Sequence, residues 1–108
     1  MEHRGRIFRF ADVEVREREF SVRRDGQVLP VEPKAYKVLE FLLSNPGRAV
    51  SINELLDAVW SDVEVSESSL TRAIAILRRL LGDDVHEQRF IATVTTVGYR
   101  FVAPVEVV

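Results

Sequence analysis

The apolar residues of this chain change their spacing twice, and this change restricts the fold more than any other feature. From residue 7 to residue 31 they alternate with charged residues, as in Val13-Glu14-Val15-Arg16, around a turn pair at Asp25-Gly26. Between residues 33 and 81 they recur every three or four positions, and after residue 90 β-branched and aromatic residues return. A period of two is typical of half-buried strands, and a period near 3.6 is typical of amphipathic helices. The sequence therefore predicts an α+β fold in the order antiparallel sheet, three helices and hairpin.

Helix-start and helix-stop residues divide the central region into three helices. Pro33 suits the first turn of a helix, whereas Asn45-Pro46-Gly47 cannot continue one. Ser51-Ile52-Asn53-Glu54 has the form of a capping box, Ser66 can cap a third helix, and Gly82 stops it. We expect helices over about residues 34–44, 52–60 and 67–81, an N-terminal sheet over about 6–31 and a terminal hairpin over about 89–103.

Length and composition indicate one domain over residues 1–108. Of the 108 residues 46% are apolar, and 15 basic against 17 acidic side chains give a net charge of −2. A chain of this length can bury a single core. The absence of cysteine excludes disulfides and thiolate chemistry, and no apolar run approaches the roughly 20 residues that span a bilayer. We therefore expect a soluble cytoplasmic chain without a membrane segment.

The predicted third helix has two different faces. Leu70, Ile74, Leu77 and Leu81 fall in one narrow arc when residues are placed about 100° apart, with Ala73 and Leu80 on its flank, so this arc must face the core. The opposite face carries Ser68, Arg72, Ala75 and Arg79, and residues 68–81 contain no carboxylate. Arginine can fork onto a guanine edge or a phosphate, while small residues allow close approach to DNA. An ordinary solvated helix can carry the same residues, and this segment alone leaves both interpretations open.

The elements on either side of this helix favour the DNA interpretation. A second helix precedes it after a short polar segment, and a hairpin follows it. This order is that of a winged helix-turn-helix, in which the last helix enters the major groove.

Four separated stretches of the chain resemble one known family. Residues 65–83, with Leu70-Thr71-Arg72-Ala73-Ile74 at their centre, look like the recognition helix of the OmpR/PhoB-type winged-helix DNA-binding domain. The resemblance is closest to the ToxR-like and CadC-like branch of transcriptional regulators, and it covers almost the whole chain. Three further stretches match in the right order, namely residues 33–48, residues 55–60 and residues 91–101.

The resemblance implies a four-stranded N-terminal antiparallel sheet, a three-helix core and a C-terminal hairpin wing. It also implies sequence-specific binding of double-stranded DNA in transcription regulation, as in two-component-like regulators, with no cofactor and no small-molecule substrate. The third helix would lie in the major groove and the wing on the DNA backbone or in the minor groove. The loop before the third helix would contact RNA polymerase, and a homodimer would occupy tandem half-sites.

Carried onto this chain, the resemblance assigns contact residues to three regions. The base-reading positions would be Ser68, Thr71, Arg72, Ala75 and Arg79, with Arg78 as a phosphate contact. The wing positions would be Thr93, Thr95, Thr96 and Arg100, and the polymerase-contact loop would contain Asp62, Val63 and Glu64.

Two positions depart from the family pattern. The wing turn Thr95-Thr96-Val97 lacks the basic residue that many relatives carry, and Ala75 stands where relatives often have a larger polar reader. Residues 31–65 also hold three basic and six acidic side chains. We therefore expect weaker or more dimer-dependent DNA binding than in a typical member. No receiver domain precedes the predicted fold, so we expect control other than phosphorylation of such a domain.

The remaining reactive residues indicate neither a metal site nor catalysis. His3 and His86 lie far apart without a neighbouring carboxylate pattern of the metal-binding kind, and we expect both at the surface. Asp83-Asp84 follows a helix end, and Glu17 with Glu19 lies in a charged strand, so solvation explains them. No glycine-rich phosphate loop or nucleophile elbow occurs, which makes a hydrolase a remote alternative. The other alternative is a protein-interaction module that keeps the winged-helix fold with weak or no DNA binding.

Overall fold

The predicted order of sheet, three helices and hairpin is confirmed in a computed structural model, which describes residues 5–61, 63–84 and 86–108. A 3-10 turn, Glu17–Glu19, follows the second strand. The strands and helices in the described ranges are β1 (Ile7–Phe10), β2 (Val13–Arg16), β3 (Ser21–Arg24), β4 (Gln27–Leu29), α1 (Pro33–Leu43), β5 (Val50–Ser51), α2 (Ile52–Val59), α3 (Glu67–Leu81), β6 (Ile91–Val94), β7 (Gly98–Phe101) and β8 (Glu106–Val107).

The N-terminal sheet has five strands, one more than the four that the family resemblance implied. Its order is β4-β3-β2-β1-β8, and all neighbouring strands are antiparallel. Asp25 and Gly26 have φ angles of 52° and 81°, as a two-residue hairpin loop with two left-handed positions requires. The added strand β8 places Val107 opposite Phe8. A strand of two residues is too short to show a periodicity, so the sequence analysis did not predict β8. In the structure β8 pairs with the edge of β1 that β2 leaves free.

The helix boundaries follow from local signals. Pro33 is the first residue of α1, where a missing backbone N–H leaves no helical bond unmade. At α2 the Glu54 N–H donates to Ser51 Oγ at 3.0 Å, and the Ser51 N–H donates back to Glu54 Oε1 at 3.0 Å, so the capping box is confirmed. Gly82 ends α3 with a φ of 71°. In the described ranges, no helix is both long and apolar enough to cross a bilayer.

The start of α3 differs in one detail from the expectation. Ser66 does hold the N-cap position with an extended backbone, but its side chain caps no backbone N–H. Its hydroxyl instead lies 2.6 Å from the hydroxyl of Ser68. The predicted side-chain cap is therefore wrong, although Ser66 does occupy the predicted N-cap position.

The hydrophobic core lies between the N-terminal sheet, the helices and a second, three-stranded antiparallel sheet with the order β5-β7-β6. Val13 and Val15 of β2 are buried on one face of the N-terminal sheet, as the alternating pattern predicts. Phe10 packs edge-on against Phe101 of the hairpin at 4.8 Å and against Phe90 at 5.4 Å between ring centroids. These rings fix the hairpin to the N-terminal sheet. The core side of α3 consists of Leu70, Ala73, Ile74, Leu77 and Leu81.

The turn after β2 buries a carboxylate, which corrects the expectation that Glu17 is solvated. Its side chain is 1% exposed and accepts from Arg6 Nε at 2.9 Å and from Arg6 Nη2 at 2.8 Å. The Arg6 backbone N–H donates to the same carboxylate at 3.0 Å. Burial by itself raises the pKa of Glu17, but the hydrogen bonds from Arg6 and from the Glu40 side chain outweigh it and hold that pKa below its ordinary value. This pair attaches the segment before β1 to the turn.

Candidate nucleic-acid interface

The outward face of α3 presents the five residues that the sequence assigned to base reading. The hydrophobic arc of this helix packs inward, so the residues opposite to it extend towards solvent. Alanine and serine leave room beside the longer side chains, and the helix is 15 residues long. The exposed residues of this face are Ser68, Thr71, Arg72, Ala75 and Arg79.

Arg72 is exposed but already paired. Its Nη1 donates to Glu32 Oε1 at 3.0 Å and its Nη2 donates to Glu32 Oε2 at 3.2 Å. The two side chains are 68% and 54% exposed, so solvent screens the pair. The hydrogen bonds and the charge of Glu32 raise the pKa of Arg72. Glu32 precedes α1 and is 40 positions away in the sequence, which is why reading α3 alone missed this contact.

Arg79 lies two turns further along the same face, about 10 Å along the helix axis. Its side chain is exposed, and within the described ranges it forms neither a salt bridge nor a hydrogen bond. A guanidinium in this state keeps its full charge and all five N–H donors for a ligand. Among the described residues of this face, Arg79 is therefore the arginine with the most N–H donors left for a ligand.

Arg78 holds α3 against the hairpin. Its Nη2 donates to the backbone oxygen of Ile91 at 2.9 Å and to Thr93 Oγ1 at 3.0 Å. Its Nε is buried without a hydrogen-bond partner among the described atoms. Arg78, predicted as a phosphate contact, thus uses its Nη2 group to hydrogen-bond to β6. These bonds hold α3 at a fixed distance from the hairpin.

The turn of the hairpin is small and strained. Thr95, Thr96 and Val97 are all exposed, and Thr96 has a φ of 63°. A β-branched residue is rare in this left-handed conformation, because its Cβ approaches the following carbonyl. The Thr96 hydroxyl donates to the Thr95 carbonyl at 2.6 Å. The turn carries no cation, and Arg100 on β7 is the exposed basic residue nearest to it in the strand pair.

The hairpin is anchored to the start of α2. The Ile52 N–H donates to the Val97 carbonyl at 3.0 Å, and β5 pairs with β7 so that Ser51 faces Gly98. A Cβ atom at Gly98 would lie 2.0 Å from the Val50 carbonyl oxygen. Only glycine permits this approach, so the residue at position 98 sets how closely the hairpin approaches the helical core.

Asp83 organises the chain between α3 and the hairpin, which corrects its description as a solvated helix end. Its carboxylate accepts from the backbone N–H groups of Arg89 at 2.6 Å and of Ile91 at 2.9 Å, with two longer contacts to Asp84 and Phe90. One carboxylate thus satisfies four backbone donors.

Arg89 itself is exposed, with its guanidinium 4.8 Å from the ring of Phe90, and adds a basic group that the sequence analysis did not single out.

The loop before α3 borders a cleft of about 800 Å³ between that loop and α2. Val63 is 57% exposed and Glu64 is exposed, whereas Asp62, the third residue assigned to polymerase contact, lies outside the described residues. Asp57 of α2 adds a second carboxylate to the lining. Its described lining is therefore acidic, and it also contains four apolar side chains, those of Leu56, Trp60, Val63 and Val65.

Nothing in the described ranges resembles a metal site. They contain no group of three or more His, Cys, Asp or Glu side chains able to hold a metal ion. His86 is exposed, and its backbone N–H donates to Asp84 Oδ1 at 2.7 Å, while His3 lies outside the described residues.

Comparisons with known proteins find one family. A family model described as "Transcriptional regulatory protein, C terminal" matches residues 26–101. The chain is 49% identical over 96 residues to the transcriptional regulator HilA of Salmonella typhi, and this match covers 83% of the chain but 17% of HilA. The chain therefore spans a small part of that relative's length.

Solved structures agree with this result. The DNA-binding domain of Escherichia coli CadC has a TM-score of 0.82 at 30% identity, covering 96% of this chain and 98% of that domain. The response regulator DrrB of Thermotoga maritima, described as an OmpR/PhoB homolog, has a TM-score of 0.81 at 29% identity, covering 89% of this chain and 44% of DrrB. Both similarities cover most of this chain.

Proposed function

Because this chain belongs to the family of transcriptional regulatory protein C-terminal domains, we propose that it binds double-stranded DNA in a sequence-dependent way and thereby regulates transcription. The family match confirms the OmpR/PhoB-type resemblance inferred from the four sequence motifs. The family is one of transcription regulators, not of enzymes. The similar proteins HilA and CadC carry the descriptions transcriptional regulator and DNA-binding domain, respectively.

The observation that carries the proposal is the exposed Arg79, which has no ion-pair or hydrogen-bond partner among the described residues. Apart from Arg72, the other side chains of its helix face are short. The major groove is wide enough for a helix, and arginine is the side chain that most often reads guanine there. Arg78 keeps the hairpin beside this face, since it bonds to β6 at 2.9 Å. A helix and a wing at a fixed separation can contact the groove and the neighbouring phosphates together.

The roles of single residues are part of the same proposal. Base edges are read by Ser68, Thr71, Arg72, Ala75 and Arg79, and the domain extends over residues 1–108. Arg78 contacts a phosphate with the donors that β6 leaves unused. Thr93, Thr95, Thr96 and Arg100 of the wing contact the DNA backbone or the minor groove.

Binding to a randomised duplex library tests the proposal. The chain should recover a preferred sequence, and its affinity should fall with salt by a slope of about −0.9 for each phosphate contacted. Arg79→Ala should weaken binding by about 1–3 kcal/mol and relax the preference at one base pair. Arg9→Ala, on the N-terminal sheet, is the matched control because Arg9 is exposed and lies on a different element.

An affinity for DNA that does not change with salt would contradict the proposal. Equal losses of affinity for Arg79→Ala and Arg9→Ala would also contradict it. The alternative is then a winged-helix protein-interaction module with little DNA affinity. The net charge of −2 and the carboxylate placed on Arg72 are the observations that favour it. Pull-down by polymerase subunits, together with no measurable affinity for any duplex, is the result expected of that alternative.

We further propose that the loop containing Asp62, Val63 and Glu64 contacts RNA polymerase. The acidic cleft beside it and the exposed Val63 support a basic partner surface with an apolar pocket. Both this partner and the DNA would be met in the bacterial cytoplasm. Val63→Asp should reduce transcription from a target promoter without changing DNA affinity, as measured in parallel transcription and binding assays.

We also propose that two copies bind tandem half-sites as a homodimer. The wing turn without a cation supports this, since one copy then contacts few phosphates. Half-sites one helical turn apart, about 10 base pairs, should bind two copies cooperatively, whereas a single half-site should bind one copy weakly. Sedimentation of the complexes measures both stoichiometries.

A further inference from the structure

The proposed DNA interface contains a carboxylate, which is unexpected because a negative charge repels the phosphates of DNA. Glu32, at the N-cap of α1, contacts Arg72 of α3 through both of its oxygens, at 3.0 Å and 3.2 Å. The two side chains are 54% and 68% exposed, so packing does not force them together. Exposed pairs of this kind add little to folding stability. Stability therefore does not account for a negative charge beside a DNA-reading helix.

The contact leaves one edge of the Arg72 guanidinium open. Glu32 takes one hydrogen from Nη1 and one from Nη2, at the end of the planar group. A guanidinium has five N–H donors, so three of them remain unused. Two of these three, the Nε–H and the outer N–H of the Nη atom on the same side, point in parallel along one side of the planar group. Among the described residues, no atom accepts from Arg72 Nε. Two parallel donors are what the O6 and N7 edge of guanine requires, so a base can bind without displacing Glu32.

A phosphate is affected differently, because it is attracted mainly by net charge. Glu32 cancels the charge of Arg72, whereas Arg79 on the same face has no carboxylate partner in the described part of the chain. Sequence-independent binding scales with the number of phosphates that cations neutralise. Glu32 therefore weakens binding to arbitrary DNA more than it weakens recognition of a base.

We propose that Glu32 is a specificity-determining residue, which orients Arg72 towards a base edge and withdraws that arginine from non-specific phosphate binding. The inference rests on the proposed DNA binding and adds how the interface distinguishes its operator from other DNA. Glu32 acts through Arg72 and is thus a positioning residue.

The test compares two duplexes, the sequence recovered from the library by the wild-type chain and a scrambled duplex of the same length and composition. Glu32→Gln keeps the shape of the side chain and removes its charge. The salt slope on the scrambled duplex should steepen by about 0.9, the value for one more phosphate contact. The ratio of the two affinities should fall by about twofold to fivefold, since the exposed pair is worth at most about a factor of five.

Two controls separate this role from general repulsion between a carboxylate and DNA. Glu67→Gln removes another exposed charge at the first turn of α3, where Glu67 forms no ion pair within the described ranges, and it should leave the ratio unchanged. In the Arg72→Ala chain, Glu32→Gln should also leave the ratio unchanged.

If the wild-type chain binds DNA, either of two results would overturn the inference. One is that Glu32→Gln strengthens binding to both duplexes by the same factor as Glu67→Gln. Another is that Glu32→Gln still lowers the ratio when Arg72 is absent. If the wild-type chain binds no duplex, the proposed function fails and the inference fails with it, whereas wild-type binding with an unaltered ratio overturns the inference alone.

Discussion

Replacing Gly98 by alanine would place a methyl group between the wing and the strand that anchors it. The new Cβ would lie 2.0 Å from the Val50 carbonyl oxygen and 3.0 Å from the Ile52 nitrogen. Carbon and oxygen atoms in close contact stay about 3.3 Å apart, so β5 and β7 must separate by roughly 1 Å. That shift breaks the bond from the Ile52 N–H to the Val97 carbonyl and weakens the β5–β7 pairing. Overpacking and the lost hydrogen bonds together should lower the free energy of unfolding by about 2–4 kcal/mol.

Urea denaturation followed by the fluorescence of the buried Trp60 measures this loss. Gly26→Ala is the matched control, because Gly26 has a φ of 81° and no atom within 4 Å of its added Cβ. It should lose only the conformational term, about 1–2 kcal/mol. If Gly98→Ala costs no more than Gly26→Ala, the close approach of wing and core does not constrain the fold, and the reasoning is wrong.

Three other substitutions test separate parts of the structure. Arg78→Met should lower the free energy of unfolding by about 1–2 kcal/mol and speed amide exchange in β6, because it removes the bonds to the Ile91 carbonyl and Thr93; unchanged exchange in β6 would contradict this role. Thr96→Gly should raise the free energy of unfolding by about 0.5–1 kcal/mol, because the relief of left-handed backbone strain exceeds the entropy cost of ordering a glycine. A lower free energy of unfolding on urea denaturation would show that Thr96 is not strained. Glu17→Gln should cost about 2 kcal/mol at neutral pH. The folded pKa of Glu17 is lowered, so its stabilisation is complete above the ordinary value of 4.5 and is lost as pH falls through the folded pKa. The variant should therefore show a smaller loss of stability on acidification, and an identical pH profile would contradict the pairing.

Features that depend on near neighbours in the sequence could be predicted from the sequence. Gly82 ends α3 because it adopts a left-handed backbone at little cost, and Ser51 and Glu54 cap α2 within one turn. Asp25-Gly26 closes its hairpin for the same kind of local reason. The apolar arc of α3 also determined which side chains face solvent. Each of these signals involves residues no more than a few positions apart.

Contacts between distant elements could not be predicted in this way. Glu32 meets Arg72 across 40 positions, and nothing in either segment indicates the other. Asp83 and Glu17 were assigned to solvent because acidic residues usually are, yet each is engaged by hydrogen-bond donors that the fold brings to it. Arg78 illustrates the same limit, since its helix position predicts partial exposure but not its bond to β6. Such contacts depend on how the elements pack, which periodicity does not encode.

The central claim is that α3 and the wing together form the DNA-binding surface of this chain. A titration of the isotopically labelled chain with its selected duplex, followed by amide chemical shifts, tests it most directly. We expect the largest shifts between residues 66 and 80 and in the turn between β6 and β7, with the outer strands of the N-terminal sheet unaffected. Shifts concentrated on β3 and β4, or confined to the loop before α3, would contradict the claim.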